Sequence, residues 1–262
     1  MSNQVTRQAP ILEVDHLNVK YGTFTAVRGI SFEVAGGEIF GLLGPNGAGK
    51  TSTLSAIEGL LKPTAGAISV CGFDIAAKPL HARANMGVQL QATSFQQELT
   101  ITEIVRLYAR IYGVAITEDE IREKLASINL ADAARKKIAQ LSGGQQQRVS
   151  LLISTIHNPR LILLDEPTTG LDPQSRRYLW QRIEQFRDLG HAVVITTHSM
   201  EEAEAVCDRI AIIDHGSIIA IDSPAALIER NLNNPAVLEV VRKGKVTLED
   251  VFIGLTGSAI RS

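Results

Sequence analysis

Gly44-Pro45-Asn46-Gly47-Ala48-Gly49-Lys50-Thr51 fits the spacing G-x-x-x-x-G-K-[ST], the pattern of a loop that wraps phosphate. Its glycines let the backbone curl until successive N–H groups converge on an anion. The segment from Ser52 onward reads as a helix, whose first amides and positive dipole end add to the cradle. In that setting Lys50 reaches the β- and γ-phosphates, and the Thr51 hydroxyl is a ligand for Mg²⁺. Such a loop needs an acid to hold the metal. Leu161-Ile162-Leu163-Leu164-Asp165-Glu166 supplies one, because the carboxylates follow an apolar strand at the edge where open α/β sheets bind ligands. Asp165 is read as the metal-holding acid. Glu166 leaves the backbone in another direction and is read as the base that orients and deprotonates water.

Leu141-Ser142-Gly143-Gly144-Gln145 is a second anion-binding candidate. Ser142 and Gln145 have capping-box spacing, and two glycines at a helix start permit close approach of an anion. A capped helix without any ligand would read the same way from these residues alone.

The elements that must position these groups follow from pattern. A strand at 38–43 leads into the phosphate loop and a helix at 52–60 leads out. The first segment is β-rich, with candidates at 11–14, 17–21 and 26–34, and another strand is expected at 67–71. Capping boxes at Thr100/Glu103 and Thr117/Glu120 open two helices, and a helix at 146–157 follows the Ser-Gly-Gly segment. These form a helical insert at 93–158 within an α/β frame. Apolar strands at 161–164 and 192–195 flank a charged helix at 176–188, a β–α–β unit. Asp214-His215-Gly216 joins two strands as a hairpin. The stretch 229–245 has no clear period.

The chain has 262 residues, 45% of them apolar, with 26 basic against 28 acidic residues. That supports a sizeable core and gives no bulk charge for nucleic acid or an anionic membrane surface. No apolar run approaches the ~18 residues of a membrane span. The N-terminal segment is polar, without an apolar signal core. Cys71 and Cys207 lie outside any metal-ligand spacing and are expected as buried thiols in a reducing compartment.

Taken in order, the phosphate loop at 44–51, Leu-Ser-Gly-Gly-Gln at 141–145 and Leu-Leu-Asp-Glu-Pro at 163–167 resemble the ATP-binding subunit of an ABC transporter. The resemblance spans about residues 9–257. It implies an α/β fold, a P-loop NTPase of ABC type, with a mixed sheet core, an N-terminal antiparallel β portion and the helical subdomain at 93–158 inserted. It implies Mg²⁺ and ATP, with an ATP-binding set of Tyr21, Gly44, Pro45, Asn46, Gly47, Ala48, Gly49, Lys50, Thr51 and Ser52. Tyr21 matches the aromatic that stacks on adenine. Gln91 matches the Q-loop glutamine that contacts Mg²⁺ or the attacking water, with Gln89 as a competing register. Thr51, Gln91 and Asp165 are then the metal set, and Glu166, His198 and Gln91 the catalytic set. His198 matches the switch histidine that approaches the γ-phosphate, and Asp172, in Gly170-Leu171-Asp172, matches the D-loop.

The resemblance further implies that Ser142, Gly143, Gly144 and Gln145 of one chain complete the ATP site of another, so a homodimer is expected. An integral membrane permease subunit is the expected partner, with the ATPase cytoplasmic and peripheral at the inner face of the membrane. Segments 41–47 and 247–257 resemble ABC-2-type exporters, a group that includes daunorubicin-resistance-like and nodulation-like ATPases. The competing reading is a soluble ATPase of the same type acting in translation, DNA repair or iron–sulfur assembly. Such proteins usually carry a second cassette, a long coiled-coil insert or an added binding domain, and none is visible in this sequence.

Overall fold

The computed structural model describes residues 9–89, 95–241 and 244–257. Alternating apolar residues near the N-terminus form an antiparallel ribbon of β1 (Leu12–Tyr21) and β2 (Phe24–Val34). Two expected strands, 11–14 and 17–21, are therefore one. The register shifts between Val14 and Leu17, where His16 takes φ 46°. A bulge of this kind absorbs an extra residue without ending the strand.

The phosphate-loop strand is β3 (Ile39–Leu43), and the helix leaving the loop is α1 (Lys50–Ile57). β4 (Ala65–Val70) pairs with the far edge of β1, and β5 (Phe73–Asp74) extends it, giving the order β2-β1-β4-β5. A short helix α2 (Pro79–Ala84) precedes β6 (Met86–Gln89). Three helices follow: α3 (Ile101–Ile111), α4 (Glu118–Ser127) and α5 (Gly143–Ser154). Each opens on the expected Thr or Ser with a reciprocal capping box, and such a cap contributes about 1 kcal/mol. α5 ends earlier than expected because Thr155 and Ile156 tighten into i→i−3 bonds.

β7 (Leu161–Asp165), α6 (Pro173–Asp188) and β8 (Ala192–Thr197) are the expected β–α–β unit. α6 begins three residues before the charged stretch, at Pro173, because proline suits the first helical position and Asp172 caps it. After α7 (Met200–Val206), β9 (Arg209–Asp214) and β10 (Ser217–Asp222) form the hairpin, with His215 and Gly216 both at positive φ. The unplaced stretch overlaps α8 (Pro224–Arg230) and α9 (Pro235–Leu238), before α10 (Leu248–Thr256). Helices of four to seven residues are too short to display a period.

The second sheet has the order β10-β9-β3-β8-β7-β6. Its members from β9 to β6 run parallel, and β10 is antiparallel. This is the mixed α/β fold with an antiparallel N-terminal portion. Because strand side chains alternate, β7 serves two cores. Leu161 and Leu163 join α1 and the N-terminal sheet, while Ile162 and Leu164 join α6, α7 and α10. Burying each such side chain is worth about 1.5–3 kcal/mol. A third cluster, from Phe95 to Ile156, is built by α3, α4, α5 and their connections. Cys207 is buried, whereas Cys71 is only half-buried, and both are free thiols.

Candidate functional site

The phosphate loop is fixed from both sides. Gly44 N–H donates to the Thr197 carbonyl at the end of β8, and Gly216 N–H in the β9–β10 turn donates to the Ala48 carbonyl. Gly49 sits at φ 106°, and a side chain there would meet the Ala26 carbonyl at 2.6 Å. Only glycine tolerates both constraints, so the loop stays close against β2.

Lys50 is 5% exposed. Its Nζ donates to the carbonyls of Gly44 and Pro45 at 2.8 and 3.2 Å and lies 3.6 Å from Glu166 Oε1. Burial pushes its pKa down, and the charge of Glu166 opposes that shift. The lysine therefore bends over its own loop, beside the space that the loop encloses.

Asp165 ends β7. One carboxylate oxygen accepts from the Thr196 hydroxyl, and the other lies 3.4 Å from Thr51 Oγ1. These two hard oxygens beside a phosphate-type loop suit Mg²⁺. Adjacent ligands of an octahedral Mg²⁺ stand about 3 Å apart, and that ion takes one or two protein oxygens with phosphates and waters. Glu166 turns away from Asp165 because its backbone adopts φ 46°, an uncommon conformation for a residue with a side chain. The Glu166 N–H holds this turn by donating to the Thr196 carbonyl and hydroxyl. Glu166 Oε1 then lies 3.3 Å from His198 Nδ1, and Oε2 accepts from the Thr169 hydroxyl at 3.2 Å.

Tyr21, Asn46, Gly47, Gly49, Lys50, Thr51, Ser52, Glu166 and His198 line one cleft of about 580 Å³. Pro45 and Ala48 face a smaller cavity beside the turn at His215. Tyr21 is 51% exposed, with its hydroxyl 3.4 Å from Ser52 Oγ. Phe24, its cross-strand partner, lines the same cleft. Neither Phe24 nor Thr169 stands out in the sequence, since an aromatic on a strand and a loop threonine carry no spacing signal.

Other expected residues lie elsewhere. Ser142, Gly143, Gly144 and Gln145 do not line the cleft. They open α5, where the Ser142 hydroxyl accepts from Gln145 N–H. A side chain on Gly144 would meet Ser175 Oγ at 2.6 Å, whereas Gly143 faces open space. Asp172 caps α6 by accepting from the N–H groups of Gln174 and Ser175. Gln91 lies outside the described residues. Gln89 is buried opposite Leu164, on the face of the sheet away from Asp165, and neither end of its amide has a partner among the described residues. Glu58, just past α1, is also buried without a side-chain partner among the described residues. Burial, assisted by the charge of Asp165, pushes its carboxyl up to about 7.

A family profile described as ABC transporter matches residues 27–169. Nod factor export ATP-binding protein I of Burkholderia lata is 39% identical over 245 residues, covering 92% of this chain and 80% of that protein. Linearmycin resistance ATP-binding protein LnrL of Bacillus subtilis is 38% identical over 236 residues, covering 89% and 76% respectively. A solved structure of the ATP-binding subunit of an ABC transporter superposes with a TM-score of 0.81 at 29% identity, covering 94% of this chain and 99% of that one. With the phosphate loop, Glu166 and His198 gathered on one cleft and Asp165 beside Thr51, the chain belongs to the ABC transporter family, as an ATP-binding subunit with ATPase activity.

Proposed function

We propose that two copies of this chain bind two ATP molecules head to tail and drive export through a separate membrane-spanning permease. The observation that carries the reading is the convergence of Lys50 and His198 on the same oxygen of Glu166, at 3.6 and 3.3 Å, beside the Thr51–Asp165 pair. On this reading Lys50 leaves its resting bonds to Gly44 and Pro45 and neutralises the β- and γ-phosphate oxygens. Glu166 accepts the proton of the attacking water. The new bond forms at the γ-phosphorus, and the bond to the bridging oxygen breaks, releasing ADP and phosphate. His198 donates to the γ-phosphate oxygens. Thr51 and Asp165, with Gln91, would hold Mg²⁺, which supplies charge neutralisation of the phosphates when bound. Tyr21 stacks on adenine, and Ser52 joins the phosphate-binding set at the start of α1.

The separation of 142–145 from the cleft supports a two-chain site. Within one chain the signature amides open α5 and leave the cleft open. The signature of a second copy would cover that opening, with Asp172 at the junction, and the contact would be isologous. ATP then favours the closed pair and hydrolysis reopens it, a two-state element biased by nucleotide. The helical subdomain at 93–158 would carry that motion to the permease at the inner face of the membrane. Among the described residues no helix is long and apolar enough to cross a membrane, so the spanning part is assigned to the partner. Export is favoured over the soluble alternatives by the name of the Burkholderia relative, a Nod factor export ATP-binding protein.

Glu166→Gln tests the reading. The amide keeps the shape and cannot take the proton, so hydrolysis should slow by roughly 10²–10⁴-fold with ATP binding intact. The variant should accumulate as an ATP-bound dimer in size-exclusion chromatography. Near-normal turnover would show that Glu166 is not the base.

A further inference from the structure

Glu202, on α7, is 1% exposed. Its carboxylate accepts from Trp180 Nε1 at 3.2 Å, and the side chains of Thr168 and Thr197 and the charge of Arg176 also act on it. Burial pushes its pKa up, and these donors hold against that shift. A buried acid surrounded by donors has a specific task, because the same space filled by an apolar side chain would cost less desolvation.

The donors come from the segments that carry the reacting groups. Thr168 lies two residues beyond Glu166, and Thr197 immediately precedes His198. Trp180 and Arg176 belong to α6, which Asp172 caps. The backbone closes the circuit. Glu202 N–H donates to Ser199 Oγ at 3.3 Å, and Ser199 N–H donates to Thr197 Oγ1 at 2.9 Å. His198 thus lies between Thr197, whose side chain acts on the Glu202 carboxylate, and Ser199, which accepts from the Glu202 N–H. On the other side, Thr169 follows Thr168 and donates to Glu166.

We propose that Glu202 is a positioning residue of the ATPase site, whose buried carboxylate ties the turn bearing His198 to the segment running from Glu166 to Asp172. It touches neither nucleotide nor water and acts through His198. This inference rests on the role given above to His198. It predicts a coupling that a residue important only for stability would lack.

The test is kcat and KM for ATP in four proteins: wild type, Glu202→Gln, His198→Ala and the double variant. Glutamine puts an N–H₂ donor among groups that are already donors, so the turn should shift. Glu202→Gln should lower kcat by roughly 10- to 100-fold, the cost of a displacement near 1 Å, with KM changed less than about twofold. In the His198→Ala background the same change should lower kcat by less than about twofold. An equal loss in both backgrounds, or no loss in either, would overturn the inference while leaving His198 in place. If His198→Ala alone leaves kcat unchanged, the role of His198 falls and the inference falls with it. Should Glu202→Gln fail to fold, Thr197→Val and Thr197→Ser decide. Serine should restore most of the turnover that valine loses, and equal turnover in the two would overturn the inference.

Discussion

Lys50 is buried, and its amine faces carbonyls and one carboxylate. The types and spacing in 44–51 and 161–166 made this cluster legible in the sequence. The direction of Glu166 was legible only in outline. Its turn depends on positive φ and on Thr196, thirty residues away, and no local pattern encodes a partner at that distance. Glu202 was hidden for a related reason. It sits among Glu201 and Glu204 in a seven-residue helix, which reads as a solvated acidic face until burial singles out one of the acids. Tyr21 was legible through family likeness alone. Its ring stands exposed on the cleft, so Tyr21→Ala should weaken ATP binding by roughly 2- to 13-fold, the range of about 0.5–1.5 kcal/mol for aromatic pairing. Tyr21→Trp should largely preserve it. Equal affinities for alanine and tryptophan, measured with a fluorescent ATP analogue, would make Tyr21 a packing residue.

At the scale of elements, helix starts were legible because a capping side chain and its reciprocal partner lie three residues apart. The parallel strands were legible because both their faces are buried and their sequences are continuously apolar. The tail between Glu229 and Lys245 was not, since its short helices are fixed by contacts such as Val237 against Gly254. The end of α1 carries a consequence for stability. Glu58 has its carboxyl raised from 4.5 to about 7, so the folded chain binds that proton more tightly than the unfolded chain. Stability is therefore greater below about pH 4.5 and is lost as pH rises through about 7, by about 3 kcal/mol. Glu58→Gln does not titrate. Its unfolding free energy relative to wild type should rise by about that amount between about pH 4.5 and 7.5, in denaturant titrations. A pH-independent difference would mean that Glu58 titrates alike in the folded and unfolded chain, with no upward shift on folding.

Among the described residues, the phosphate loop lines the cleft and the helix capped by Ser142 opens away from it. If two copies combine head to tail, each ATP is held by Lys50 of one chain and by the signature of the other. Lys50→Ala removes the phosphate cation, and Gly143→Asp places a negative charge at the start of α5. Gly143 is the position to alter, because a side chain on Gly144 would meet Ser175 within its own chain, whereas Gly143 is open. Each variant alone should be inactive. Mixed in equal amounts, they form heterodimers in which one site carries both lesions and the other carries neither, so up to about one quarter of the wild-type sites are intact. Measuring ATPase activity in that mixture, with heterodimers verified by differential tagging, is the most direct test of the two-chain site. A head-to-tail pair regains activity on mixing. A mixture that contains heterodimers and remains inactive would show that each nucleotide is served within a single chain.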